Sequence, residues 1–234
     1  MTPERPPLPL VIARLARDAA PVTPLPSPFV RWSAWTLTAF AAGAIVTIVL
    51  GLLPSLRPVV DAPVRDPGFL LAAIVTGGLA LAAAGGAFVL SVPGAARDRI
   101  ARVTPLLAAI AWAALLWTRL VTIGDPLPQI AATPWHPVCI FLILSVSAIP
   151  GVALFVMLRR AAPLRMRWTG ALAALAVLAL GALGTQFVCP INAPAHQLVW
   201  HFVPVIVLMS VGLVLGARVF DRRRRTAGTF QSLP

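Results

Sequence analysis

The sequence predicts an all-α polytopic membrane bundle of six transmembrane helices with both termini in the cytoplasm. Three observations predict it. The 234 residues are 59% hydrophobic and only 11% charged, against about 25% charged in an ordinary soluble domain. Six apolar stretches are each long enough, at about 1.5 Å rise per residue, to cross a hydrocarbon core of about 30 Å. Every basic residue is arginine, 19 of them against 7 acids, and they cluster in alternate connections. A formal charge of +12 would otherwise suggest a nucleic-acid binder. That function needs a polar surface on which to display a basic stripe, and this composition leaves little, so no direct nucleic-acid contact is expected.

Residues 1–31 read as a cytoplasmic tail, proline-rich at both ends, with a short helix over about Leu10 to Ala19. Val11, Leu15 and Ala19 share one side of it, and Arg14 and Asp18 form an i,i+4 pair on another. An isolated helix this short is marginal in water, so its apolar side needs the bilayer surface or a partner protein. A disordered leader on the membrane is one reading. The other is a docking segment that folds on binding, with Leu15 and Val22 buried in the partner.

The six spans fall at about 32–53, 68–92, 104–123, 136–158, 168–189 and 197–218 within a transmembrane domain of 32–219, followed by a basic tail over 220–234. None contains Asp or Glu, and Arg119 is the one arginine inside a span, Arg218 marking the end of the last. Proline and glycine punctuate the connections, among them Pro54, Pro58, Pro63, Pro67, Gly124 and Pro190. The second span carries Gly77, Gly78, Gly85 and Gly86, and the fifth runs from Gly170 to Gly184 almost entirely in Ala, Leu and Gly, which permits close helix approach. Pro150-Gly151 and Pro204 predict kinks in the fourth and sixth spans. A β-barrel is disfavoured, since the alternating segments of about ten residues that it needs are absent.

Sorted along this layout, 16 of the 19 arginines lie on one side, which the positive-inside rule assigns to the cytoplasm together with both termini. The other side holds Arg57 and Arg65, balanced by Asp61 and Asp66, and then Asp125. Arg119 lies about a turn from the outer end of its span and is expected to snorkel to the interface. Asp221 followed by Arg222 to Arg225 reads as a polybasic anchor, each arginine worth about 1 kcal/mol at an anionic leaflet.

Both cysteines and all three histidines fall near the outer ends of spans. His136 and Cys139 open the fourth, three residues apart and hence on one helical face. Cys189 closes the fifth, and His196 and His201 open the sixth. If the last three spans adjoin, Cys139 and Cys189 approach each other. Three readings fit: buried small hydrophobes with interfacial imidazoles, a disulfide on the non-cytoplasmic side, or a soft-metal site with imidazole ligands. Without CxxC or HxxxH spacing the motif alone does not choose between the last two.

The six-span layout, the tail motif Leu15-x-x-Asp18-x-x-Pro21-Val22, Ser91-Val92-Pro93-Gly94, Trp135-His136 with Cys139, Cys189-Pro190 and Trp200-His201 together resemble the NrsF-type membrane anti-sigma factors. The resemblance covers nearly the whole chain. It implies a bacterial inner-membrane regulator that holds an extracytoplasmic-function (ECF) sigma factor through its N-terminal segment. It also implies that two periplasmic-side cysteines, here Cys139 and Cys189, sense heavy-metal or oxidative stress. No cofactor is required, although a thiophilic metal ion is a candidate transient ligand, with His136, His196 and His201 as accessory donors. A small transporter or metal-handling protein is the alternative. Coupled transport usually places ionisable groups near the midplane, where these spans have no carboxylate. No enzyme is expected, since nothing resembles a nucleophile–base pair, a paired acid or a nucleotide loop.

Overall fold

The structure, a computed structural model, describes residues 12–13, 16–17, 25–92, 98–161 and 166–228, the side chains of 217 and 219–228 excepted. The regular elements among the described residues are helical, the form in which a chain satisfies its own backbone groups in an apolar medium. Helix α1 covers Pro28–Leu50, α2 Pro67–Leu90, α3 Ile100–Ile123, α4 Pro126–Ala131, α5 Val138–Ala161 and α6 Met166–Val188. Helix α7 (Pro194–His196) continues through a π-helical segment, Gln197–Phe202, into α8 (Val203–Gly228). Among the described residues, six helices are long and apolar enough to cross a membrane, the last of them over Pro194–Gly216. This is compatible with a multi-pass membrane protein. The tail residues Leu15, Asp18, Pro21 and Val22 lie outside the described residues, while 12–13 and 16–17 are helical.

Local capping explains where the helices begin. The Ser27 hydroxyl accepts from the Val30 N–H ahead of Pro28, so α1 starts four residues before the apolar run does. Asp66 before Pro67 and Asp125 before Pro126 repeat the device, accepting from the N–H groups of Gly68 and Leu127. Gly124, with φ of 152°, ends α3 in a conformation that favours glycine. Pro105 lies within α3 and deprives the Ala101 carbonyl of its helical donor. That carbonyl rests against Gly86 of α2, where an added Cβ would collide with it.

Helix α6 is the axis of the bundle, packed by α1, α2, α5 and α8, while α3 lies on α2. Its glycines set these approaches. A Cβ on Gly181 would strike the Ile143 carbonyl and Ser147 of α5, and one on Gly184 would strike the Thr47 hydroxyl of α1. A Cβ on Gly170 would lie 2.6 Å from the Gly212 carbonyl and 2.7 Å from Gly216 Cα in α8. The Pro150 carbonyl of α5 accepts from Trp35 Nε1 of α1 at 3.0 Å.

One arginine behaves differently from the sequence expectation. Arg31, assigned to the tail, lies inside α1 and is buried, donating to Ser91 Oγ at 2.7 Å and to the Phe88 carbonyl at 3.4 Å. It thereby satisfies the end of α2, where a cation also meets the negative pole of the helix. Arg119, expected to snorkel, pairs with Asp66 at 3.5 Å and donates to the Gly68 carbonyl at 3.2 Å.

Candidate functional site

The connections α1–α2, α3–α5 and α6–α7 meet at one end of the bundle. Arg57 closes the C-terminus of α6 there. Its backbone N–H donates to the Val188 carbonyl at 2.8 Å, Nε to Phe187 at 3.2 Å and Nη2 to Gln186 at 2.6 Å. These are among the carbonyls that a helix end leaves without intrahelical partners. Burial pushes the Arg57 guanidinium down from its ordinary pKa; it stays a cation at any accessible pH. The cap fixes the residue that follows, Cys189.

Cys139, in the first turn of α5, faces it. The two Sγ atoms are 3.9 Å apart, and His196 Nε2 sits between them, 3.3 Å from Cys139 Sγ and 3.4 Å from Cys189 Sγ. His201 completes the group: its donor atom and those of Cys139, Cys189 and His196 all lie within 4.8 Å of one another. All four residues are at most 2% exposed. The spans therefore bring both sequence-predicted cysteines together with two of the three predicted histidines.

His136 is placed differently. Helix α5 begins at Val138, so His136 precedes it and does not share a helical face with Cys139. Its backbone carbonyl accepts from the Cys139 N–H at 3.3 Å, and its ring stands edge-on to His196 at 5.5 Å, outside the four-residue group. The physical reason is Pro137, which has no N–H to donate and biases the residue before it toward extended backbone.

Two features of the site have no counterpart in the sequence reading. One is the π-helical segment. Residues five apart in an α-helix point about 140° from each other, whereas a π-turn of about 4.4 residues cuts this to about 50°, onto one side. That is how His196 and His201 reach the same thiols, with ring centroids 5.5 Å apart. Pro204 was the available signal, since its ring crowds the carbonyl of Trp200 and its nitrogen cannot donate. The other is a polar chain behind the site: Gln197 donates to Asn192 at 2.8 Å, and Asn192 to Asp66 at 3.3 Å, the same carboxylate that meets Arg119. Trp200 Nε1 donates to the Pro134 carbonyl at 3.0 Å.

This arrangement can do two kinds of chemistry. A tetrahedral metal with about 2.3 Å bonds to sulfur and about 2.0 Å bonds to nitrogen wants sulfurs about 3.8 Å apart and sulfur–nitrogen separations near 3.5 Å. The three measured separations match. The nitrogens of the buried His201 ring have no hydrogen-bond partner among the described residues, which leaves one of them free for the same donor role. Two thiols in contact are also placed to close into a disulfide.

A family model described as negative regulator of sigma F, NrsF, matches residues 15–221. The chain belongs to the NrsF family. Membership makes it a negative regulator of a sigma factor, with a sigma factor as partner. No curated protein and no solved structure matches it. The NrsF match runs through α1 to α8 and takes in all four residues of the buried group.

Proposed function

We propose that this NrsF-family chain is an anti-sigma factor of the bacterial inner membrane with both termini cytoplasmic. It holds an ECF sigma factor through its N-terminal segment and releases it when Cys139 and Cys189 react with a thiophilic metal or an oxidant at the periplasmic face. The observation that carries the reading is the convergence of two thiols and two imidazoles, all buried, at the end of the bundle away from the arginine-rich connections. For a signal to cross, the bundle must have two arrangements, with the tail binding sigma better in one.

The test replaces both cysteines by serine. Sequestration of the sigma factor is expected to persist while its release by metal or peroxide disappears; a double variant that still responds like the parent overturns the sensor. For the partner segment, a peptide covering residues 1–30 is expected to bind the cognate sigma factor, and to bind it less well after Leu15→Ala or Asp18→Ala. Undiminished binding would move the contact away from Leu15, Asp18, Pro21 and Val22.

A further inference from the structure

We infer that His201, carried on the π-turn of the last span, separates a metal signal from an oxidant signal at this site. A four-donor metal needs it and a disulfide does not. The inference rests on the thiol-sensor reading above and adds to it a residue and a route.

The geometry divides the four donors into three and one. Cys139, Cys189 and His196 already stand 3.3, 3.4 and 3.9 Å from one another. Any separation in the group longer than 3.9 Å, up to its 4.8 Å limit, therefore involves His201. Drawing it to about 3.5 Å asks for a movement on the order of 1 Å. Neither of its buried ring nitrogens has a hydrogen-bond partner among the described residues that would hold it back. Its neighbours in the turn are tied: Gln197 to Asn192, and Trp200 to the Pro134 carbonyl.

The π-turn makes that movement a helix movement. His201 faces the thiols only while the turn stays π; in α-geometry the same five-residue step would carry it about 140° away. Metal held by four donors thus pulls on Gln197–Phe202 and on α8 beyond it. Helix α8 lies along α6 on a seam where Gly170, Gly212 and Gly216 meet backbone to backbone, so a shift of α8 reaches the opposite end of the bundle. Oxidation takes another path. The Sγ–Sγ bond forms, both S–H bonds break, and two protons and two electrons pass to a two-electron oxidant such as hydrogen peroxide, which leaves as two waters. The sulfurs close from 3.9 Å to about 2.05 Å, drawing the start of α5 toward the end of α6, and no imidazole enters the product.

The experiment uses full-length protein in lipid nanodiscs, with Co2+ as the metal probe and hydrogen peroxide as the oxidant. His201→Gln is expected to weaken Co2+ binding at least about 100-fold, as loss of a direct ligand should exceed the 10- to 100-fold cost of losing a second-shell partner. It should also remove the tetrahedral absorption bands, yet form the Cys139–Cys189 disulfide within twofold of the parent rate. His196→Gln, which removes the ring touching both sulfurs, is expected to disturb both reactions. Unchanged Co2+ affinity and spectrum in His201→Gln overturn the inference while the thiol sensor stands. Equal loss of both reactions in that variant also overturns it, since His201 would then support the site as a whole. A parent protein that neither binds Co2+ nor forms the disulfide refutes the sensor reading itself. His201→Asn, smaller but still polar, guards against a packing defect: it must reproduce the split between the two reactions.

Discussion

Arg57→Ala separates the cap on α6 from the chemistry beside it. The substitution removes two side-chain hydrogen bonds to the Phe187 and Gln186 carbonyls, at 3.2 and 2.6 Å, and spares the backbone bond to Val188. Hydrogen bonds from a charged donor contribute about 1.5–3 kcal/mol each. Arg57 is only partly buried, so solvent screening puts the pair near the low end, about 2–3 kcal/mol together. Its cation also leaves the negative end of the helix dipole, an effect already within that range. Cys189 is 2% exposed and reacts with a bulky reagent only when the end of α6 opens. A loss of 2–3 kcal/mol multiplies the open population about 30- to 150-fold. The assay is the rate of maleimide labelling of Cys189 in a Cys139→Ser background, in nanodiscs, with the reagent limiting so that labelling follows the open fraction. Arg57→Met, which keeps an alkyl stem but no donor, is expected to label like Arg57→Ala. Labelling of either variant within threefold of the parent would refute the assignment of Arg57 as the cap that orders Cys189.

Gly170→Val is expected to cost about 1–3 kcal/mol, read as a lower thermal midpoint, because a Cβ 2.6 Å from the Gly212 carbonyl forces α6 and α8 apart. Gly78→Ala, at a position with open space around it, is the matched control and should lose nothing. Asp66→Ala is expected to lose about 1–2 kcal/mol, mainly the N-cap of α2. The Arg119 ion pair is partly exposed and contributes little, so Asp66→Asn, which keeps a capping oxygen, should lose clearly less by the same measurement. Metal affinity is expected to rise between about tenfold and 100-fold per pH unit through the neutral range, since each ligating thiol gives up its proton on binding. A pH-independent Co2+ affinity would show that the thiols are not the ligands.

The long apolar helices were legible in the sequence because apolar length alone decides them, and six of them lie among the described residues within a few positions of where they were expected. The errors lie where polar side chains belong to helices. Hydropathy stops short at Arg31 and again at Arg102. The chain instead starts α1 at its Ser27 cap, and α3 at Ile100, where Asp98 accepts from the Ala101 N–H. The meeting of Cys139 and Cys189 followed from the order of the spans once the last three were taken to adjoin. His201 was named as a donor, but its approach depends on a backbone irregularity that no side-chain periodicity records. Arg57 looked balanced by Asp61 in the sequence, whereas its partners are carbonyls some 130 positions away, and a carbonyl has no letter in a sequence.

The π-turn also bears on how sites of this kind are to be sought in other chains. A π-turn amounts to one surplus residue housed in an otherwise regular helix. Removing Val199 would let the turn close as ordinary α-helix, leave α8 in the same phase against α6, and set the two imidazoles four residues apart, again on one face. Spacings of four and of five between the histidines are thus two spellings of a single donor pair. A pattern written for either one alone would pass over chains that carry the other.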